Sequence, residues 1–155
     1  MIVVANAKAV DGLLDVCVER NLPRVRCTTG LSEEQRAQVK EASGKVAILR
    51  SANMSMGINL LRKLLKDAVP VLAAAGYDME IVEKPNNQKL DAPSGTAIAL
   101  ADVMNQAAGG DYDSVYDRST SRETSPAKQT GVSAVRGGTM VGDHEVLFTG
   151  SGDVR

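Results

Sequence analysis

The side chains best suited to chemistry lie in the segment EKPNNQKLDAPSGTA, which covers residues 83–97. Ser94 is a favourable N-cap for a helix whose first residues would be Gly95 and Thr96. Backbone N–H groups at a helix start, together with the helix dipole, form a ready site for an anion. Lys89 could add its ammonium group to that site. The pattern therefore predicts a carboxylate or phosphate site, the alternative being an ordinary capped helix with a solvated lysine.

The residues just before Lys89 limit what this site could catalyse. Pro85, Asn86 and Asn87 cannot donate a proton at neutral pH, because none of them carries an acidic or basic group. Asp91 would orient the ammonium group of Lys89 or brace the loop. The segment therefore indicates ligand binding more directly than proton transfer.

The remaining polar residues form no recognisable catalytic or metal motif. His144 is the single histidine of the sequence, and we interpret it as a strand residue because it has no cysteine or second histidine nearby to share a metal. A Ser-His-Asp triad lacks the G-x-S-x-G motif that would support it. Neither a G-x-G-x-x-G turn nor a Walker loop is present. Cys17 falls on the apolar face of a predicted helix, so we interpret it as a buried hydrophobic residue.

The composition indicates a folded chain with an aliphatic core. Hydrophobic residues make up 43% of the 155 residues and aromatic residues only 3%. The net charge of −1 and the few aromatic side chains argue against nucleic-acid binding, which needs clustered cations or stacking platforms. No apolar run approaches the roughly 20 residues of a membrane span, and the first residues lack the features of a signal peptide. We therefore expect a cytoplasmic protein that binds neither nucleic acid nor membrane.

Strand and helix patterns alternate along the first two thirds of the sequence. The predicted strands cover residues 1–7, 24–29, 45–51 and 77–84, and the predicted helices cover residues 8–21, 33–43, 55–75 and 94–108. Ser32 and Gln35 form a predicted capping box, and Pro70 should bend or interrupt the third helix. The alternation implies parallel βαβ units.

The pattern changes in the last third. Residues 109–131 are polar and rich in turn formers, which predicts a loop, and residues 132–150 resemble two strands joined by a glycine-rich connection. The shift in composition places a domain boundary near residues 76–80.

One predicted strand carries an unexpected pair of charges. Arg24 and Arg26 share one face of it, while Val25 and Cys27 share the other. Central parallel strands are usually apolar on both faces. We therefore expect the arginine face to be open to water or to a partner, the alternative being two arginines that snorkel from a strand end.

Several segments together resemble one enzyme family. KLDAPSGTA resembles the signature of the dihydrodipicolinate reductases, NAD(P)H-dependent enzymes of bacterial lysine and diaminopimelate biosynthesis, whose motif reads roughly E-x-H-H-x-x-K-x-D-A-P-S-G-T. CTTGLSEEQ and SANMSMGINLL resemble the family's segments beside the nicotinamide. SAVRGGTMVGDHEVLF resembles strands of its substrate and oligomerisation domain. The resemblance covers nearly the whole chain.

The resemblance implies an α/β fold. Residues 1–78 would form the second half of a Rossmann-like parallel sheet, and residues 79–155 an α+β substrate and oligomerisation domain. Lys89 matches the family's active-site lysine. The residues assigned to the substrate carboxylate are Ser94, Gly95 and Thr96. The residues assigned to the side of the cofactor, NADPH or NADH, are Thr28, Thr29, Gly30, Ala52, Asn53 and Ser55.

The sequence also departs from the family pattern. Pro85 and Asn86 stand where the family has two histidines, the first of which is the proposed proton donor to the reduced imine. The resemblance further implies that the chain begins inside the fourth Rossmann strand, without the glycine-rich phosphate turn, and stops before the last strand and helix of the family.

These departures lead to three expectations. We expect the nicotinamide cofactor not to bind tightly. We expect a catalytically impaired or inactive derivative with a residual dicarboxylate site, the alternative being an active NAD(P)H-dependent 4-hydroxy-tetrahydrodipicolinate reductase. A sheet cut at its midpoint exposes an unpaired edge, so we also expect a homo-oligomer.

Overall fold

The computed structural model describes residues 1–3, 9–28, 31–150 and 152–154. It divides into two compact units, Met1–Met54 and Ser55–Arg155. The division falls earlier than the boundary that composition placed near residues 76–80. The difference arises because the helix Met56–Ala74 packs against the helix Gly95–Ala107 and so belongs with the second unit.

The first unit is a small parallel sheet with two helices between its strands. Its elements are β1 (Ile2–Val3), α1 (Val10–Glu19), β2 (Arg24–Arg26), α2 (Glu33–Ala42) and β3 (Ile48–Arg50). The strand order is β1-β2-β3, and both pairings are parallel. The predicted βαβ units are therefore confirmed here, while residues 4–7 of the first predicted strand lie outside the described residues.

Local sequence signals set the helices of this unit. The Ser32 hydroxyl accepts the Gln35 N–H at 3.2 Å, and the Gln35 side chain accepts the Ser32 N–H at 3.3 Å, which confirms the capping box. Helix α1 buries Val10, Leu14 and Cys17 on one face. The interpretation of Cys17 as a buried hydrophobic residue is confirmed.

The expectation that the arginine face of β2 is open is wrong. Arg24 and Arg26 are each only 1% exposed. Arg24 pairs with Ile48 across the parallel ladder, so the two lie on one face, and Ile48 packs against the apolar cluster formed by α1 and α2. The periodicity of the strand separated the two faces correctly, but it did not tell which of them the helices cover.

The opposite face of this sheet is the exposed one. Val25 on β2 has Ile2 of β1 as its ladder partner on one side and Leu49 of β3 on the other. Ile2 is 75% exposed and Leu49 is 57% exposed. An apolar strip therefore lies on the surface of the first unit, while the charged strip is covered.

The second unit is a mixed five-stranded sheet with two helices. Its elements are α3 (Met56–Ala74), β4 (Asp78–Lys84), α4 (Gly95–Ala107), β5 (Asp113–Tyr116), a short 3-10 helix (Arg118–Thr120), β6 (Gln129–Ala134), β7 (Asp143–Gly150) and β8 (Asp153–Val154). The strand order is β5-β6-β4-β7-β8. Strand β6 runs parallel to β4 and β5, whereas β7 runs antiparallel to β4 and β8.

Two predictions for this unit need correction. Strand β5 and the short 3-10 helix lie inside residues 109–131, which we predicted as a loop because the segment is polar; an edge strand such as β5 buries little and so shows no apolar pattern. Of the two outcomes predicted at Pro70, a bend or an interruption, the interruption is absent, because helix α3 continues through Pro70. Strand β8 was not predicted at all.

The core of the second unit lies between the sheet and its helices. Its fully buried members include Val69 on α3, Ile81 on β4, Leu100 and Met104 on α4, and Val132 on β6. Among the described residues, no helix combines the length and apolar character needed to cross a membrane.

Candidate functional site

The start of α4 has the cap that the sequence predicted. The Ser94 hydroxyl accepts the Ala97 N–H at 3.2 Å, and the Ser94 carbonyl accepts the Ile98 N–H at 3.0 Å. Gly95 is the first helical residue. Backbone N–H groups of the first turn therefore face the loop that precedes the helix.

Two buried ionisable residues lie beneath this cap. Glu83 on β4 and His144 on β7 are opposite each other in the antiparallel ladder. One carboxylate oxygen of Glu83, Oε1, accepts the Ser94 N–H at 2.9 Å. The other, Oε2, lies 3.5 Å from His144 Nε2, and that nitrogen lies 3.2 Å from Ser94 Oγ. His144 is thus a strand residue, as predicted, but it also contacts a predicted site residue.

The geometry excludes a hydrolase triad at this cluster. Ser94 is 5% exposed, and its hydroxyl accepts a backbone N–H, so it is not presented to a substrate. The serine hydroxyl and the Glu83 carboxylate both face the same nitrogen of His144, whereas a triad places them on opposite nitrogens of the ring.

The loop before the helix holds Lys89 close to Asp91. Lys89 Nζ lies 2.7 Å from Asp91 Oδ1, with the two side chains 35% and 54% exposed. The backbone N–H of Lys89 donates to the Asn86 carbonyl at 3.1 Å. Asp91 therefore orients the ammonium group, which is one of the two roles predicted for it.

The two positions that carry histidines in the family motif are used for structure here. Pro85 is fully buried, and its carbonyl accepts the Gly137 N–H at 3.2 Å. The Asn86 side-chain oxygen accepts the Gln88 N–H at 2.8 Å, which closes an Asx-type turn. Neither side chain can supply a proton.

The residues assigned to the cofactor side follow the ends of parallel strands. Thr28 lies just beyond β2; its hydroxyl is buried and has no hydrogen-bond partner among the described residues. Ala52 and Asn53 lie just beyond β3, where the Ser51 hydroxyl donates to the Asn53 carbonyl at 2.8 Å. Open α/β sheets bind ligands at the carboxyl ends of their strands, so these loops fit a nicotinamide cofactor.

The remaining residues assigned to the cofactor side are Thr29, Gly30 and Ser55. Thr29 and Gly30 lie outside the described residues. Ser55 is the N-cap residue of α3, and its carbonyl accepts the Asn59 N–H at 3.0 Å. Of the cofactor-side residues, only Ser55 belongs to the unit that holds Lys89 and Ser94.

The described residues show neither a metal-binding group nor a second site that includes residues predicted from the sequence. Within the described ranges, no group of three or more His, Cys, Asp or Glu side chains could hold a metal ion. A cavity of about 280 Å³ lies between α1 and α2, lined by residues that include Asp11, Glu41 and Lys45. It contains none of the residues singled out from the sequence.

Sequence reasoning passed over Glu83 and His144. Glu83 corresponds to the first letter of the family motif, which was a usable signal. His144 could not have been found in the same way, because its contact with Ser94 depends on the pairing of β4 with β7.

The fold and the site define a two-unit α/β protein whose second unit presents the braced start of a helix. Residues 2–54 match the family model for the N-terminus of dihydrodipicolinate reductase, and residues 57–154 match the model for its C-terminus. The chain belongs to the dihydrodipicolinate reductase family.

Curated relatives and a solved structure agree with this assignment. The chain is 48% identical over 147 residues to a 4-hydroxy-tetrahydrodipicolinate reductase of Caldanaerobacter subterraneus subsp. tengcongensis and 43% identical over 150 residues to one of Clostridium botulinum. These alignments cover 95% and 97% of the chain but 58% and 59% of the relatives. The chain thus spans somewhat more than half the length of these relatives.

One structural neighbour is a dipicolinate-bound dihydrodipicolinate reductase from Paenisporosarcina sp. TG-14. It has a TM-score of 0.63 and 26% sequence identity. The match covers 99% of this chain and 58% of that one. It supports the α/β fold with a partial Rossmann-like sheet.

Proposed function

We propose that this chain binds a planar dicarboxylate at the loop from Lys89 to the start of α4. We further propose that it serves the NAD(P)H-dependent reduction of 4-hydroxy-tetrahydrodipicolinate, the reaction for which its curated relatives are named. The observation that carries the proposal is the helix start at Ser94, which is locked by Glu83 and preceded by the Lys89 ammonium group.

The helix start supplies the chemistry that a carboxylate needs. The Gly95 N–H and the first-turn backbone of α4 carry the positive end of the helix dipole. The ammonium group of Lys89 adds a point charge in the same loop, and Asp91 holds it. The solved neighbour has dipicolinate bound, which is a dicarboxylate of the proposed class.

The residues assigned to the cofactor side are compatible with a nicotinamide, and the buried Thr28 hydroxyl, which has no hydrogen-bond partner among the described residues, supports this part of the proposal. When bound, the reduced nicotinamide supplies the hydride. Thr28, Ala52 and Asn53 would hold it at the ends of β2 and β3.

Proton delivery is the step for which this chain lacks a group. A general acid is typically worth about 10²–10⁴-fold in rate, and neither Pro85 nor Asn86 can act as one. Water or Lys89 would have to protonate the product. We therefore expect a slow reductase.

A second candidate function is dicarboxylate binding without turnover. It is favoured by the buried Pro85 and by the engagement of Asn86 in a turn, because both place a structural residue where the family has a histidine. The names of the relatives support the reductase better than this alternative.

Titration with pyridine-2,6-dicarboxylate tests the binding site. We expect the amide resonances of residues 89–97 to move, with millimolar affinity, because the contacts are exposed. Lys89→Ala should weaken binding. Lys45→Ala removes a lysine that is likewise paired with a carboxylate, Glu41, and should leave binding unchanged. Unmoved amides in residues 89–97 would refute the site.

Oxidation of NADPH with freshly prepared substrate separates the two candidate functions. If the chain is a reductase, NADPH should be oxidised slowly and only when both the substrate and the chain are present. The chain should also complement a diaminopimelate auxotroph when it is expressed at a high level. Dipicolinate binding with no detectable turnover would favour the second candidate.

A further inference from the structure

Three polar side chains from three different elements meet in the interior beneath the start of α4. Glu83 comes from β4, His144 from β7 and Ser94 from the N-cap. Glu83 is 1% exposed, and the His144 side chain is 9% exposed. We call this group the Glu83–His144–Ser94 cluster. Buried polar groups of this kind are costly unless they are satisfied by one another.

The contacts within the cluster are complementary. Both carboxylate oxygens of Glu83 are engaged, one by the Ser94 N–H at 2.9 Å and one by His144 Nε2 at 3.5 Å. Ser94 Oγ lies 3.2 Å from the same Nε2 and accepts the Ala97 N–H. The side chains of Glu83 and Ser94 therefore join the sheet to the start of α4 by accepting the backbone N–H groups of Ser94 and Ala97.

The acceptors around the imidazole indicate where its proton lies. Nε2 faces an oxygen of Glu83 and the oxygen of Ser94. A bare Nε2 lone pair would face the lone pairs of a carboxylate, whereas a proton on Nε2 can be donated to these oxygens. The tautomer with hydrogen on Nε2 is therefore the one that the surroundings favour, as inferred from the hydrogen-bond network.

The cluster engages both the N–H and the hydroxyl oxygen of Ser94. The N–H is donated to Glu83, and the hydroxyl oxygen receives the Ala97 N–H. Ser94 thus fixes the direction of the helix start, where Gly95 is the first helical residue. A ligand carboxylate held there depends on how accurately the cap is placed, because misplacement by about 1 Å can cost two orders of magnitude in function.

We propose that His144 and Glu83 are positioning residues of the dicarboxylate site: they clamp Ser94 and so fix the place and direction of the start of α4, where the ligand carboxylate would bind. This inference rests on the proposed function of the site. His144 need not touch the ligand to fulfil this role, since it acts through Ser94.

The test compares two substitutions of His144 in the full chain. Leucine removes the donor, while glutamine keeps an N–H donor near the position of Nε2. We expect His144→Leu to weaken pyridine-2,6-dicarboxylate binding about tenfold, in keeping with a lost hydrogen bond to a charged group. His144→Gln should stay within about threefold of the unmodified chain. Amide hydrogen exchange at Ser94 and Ala97 should rise in His144→Leu only.

A matched control separates positioning from general loss of stability. Phe148 lies on the same strand as His144, four residues further along and opposite Met79, and is 8% exposed in the core, so Phe148→Leu should lower the melting temperature while it leaves the contacts of the Glu83–His144–Ser94 cluster in place. Its affinity for pyridine-2,6-dicarboxylate should remain unchanged. If His144→Leu binds as well as Phe148→Leu does, the clamp is refuted while the proposed function stands. If the unmodified chain does not bind the dicarboxylate, the proposed function and the clamp both fall.

Discussion

The two units of this protein bury ionisable side chains in opposite ways. In the second unit, the carboxylate of Glu83 is surrounded by a backbone N–H and an imidazole. In the first unit, every nitrogen atom of the Arg24 and Arg26 guanidinium groups is buried and has no hydrogen-bond partner among the described residues. The degree of burial is the same, 1% exposure for Glu83 and for each arginine.

This difference shows that the energetic cost of a buried charge depends on its hydrogen-bond partners as well as on its burial. Burial, and after it the positive charges of Arg50, Arg24 and Arg36, lowers the pKa of Arg26. Like charges add to the cost of removing the guanidinium group from water. The carboxylate of Glu83 therefore has neighbours that offset the cost of its burial, whereas the described residues supply none for the two guanidinium groups.

Replacing both Arg24 and Arg26 should have the largest effect of the changes predicted here, and the property affected should be the stability of the first unit. We expect Arg24→Leu with Arg26→Leu to raise the free energy of unfolding of the first unit by about 1–4 kcal/mol, the scale known for replacing a buried ion pair by apolar side chains. Urea denaturation followed through the first unit would measure it as a higher midpoint.

The matched control for this change is Arg36→Leu. The Arg36 side chain is 50% exposed and pairs with Glu33, and the effect of its charge is the smallest of the three that act on the pKa of Arg26, so its replacement should change stability much less than the double variant does. A lower midpoint for the double variant would mean that the arginines have a partner in solution and that the contrast between the units is false.

A change on the exposed apolar face of the first unit should have an intermediate effect, and the property affected should be the association of chains. The homo-oligomer expected from the sequence stays a prediction, and the exposed Ile2 and Leu49 add a second reason for it beside the strand edges. Light scattering should give a mass above the 16.3 kDa of one chain. Leu49→Lys should lower it, while Leu90→Lys, at an isolated position that is 97% exposed, should not. A monomer at high concentration would contradict the prediction.

The smallest effect is expected at a surface pair of the second unit. The Lys128 side chain donates a hydrogen bond to Asp111, which lowers the pKa of that carboxyl. A lowered folded-state pKa stabilises the fold above the ordinary aspartate range, and this contribution is lost as the pH falls through the folded value. Asp111→Asn should therefore lower the melting temperature slightly at neutral pH, and the difference should close in acid. A difference that persists in acid would assign the effect to something other than the charge.

The sequence predicted those features that depend on near neighbours. The capping box at Ser32, the cap at Ser94 and the strand β4 all follow from short-range patterns, and the structure confirms them. The motif around Lys89 likewise indicated the family. Such signals suffice because cap chemistry and side-chain periodicity act over a few residues.

The remaining features depend on which distant segments meet. The contact between Glu83 and His144 requires the register of β4 with β7, and the burial of Arg24 requires the two helices to cover one particular face of a strand. Strand β5 is an edge strand of mostly exposed residues, so its own sequence carries no apolar pattern. Pairing between distant strands is not written in any local window, which is why these features escaped prediction.

The position of His144 also gives the protein a natural spectroscopic probe of ligand binding at the start of α4. Since the sequence contains one histidine, the two carbon-bound imidazole protons, Hδ2 and Hε1, give the only histidine signals in a proton NMR spectrum of the chain. That ring is in contact with the N-cap of α4 through Ser94. A ligand that binds at the helix start should therefore shift these two signals, so that occupancy could be followed in unlabelled protein without any engineered probe.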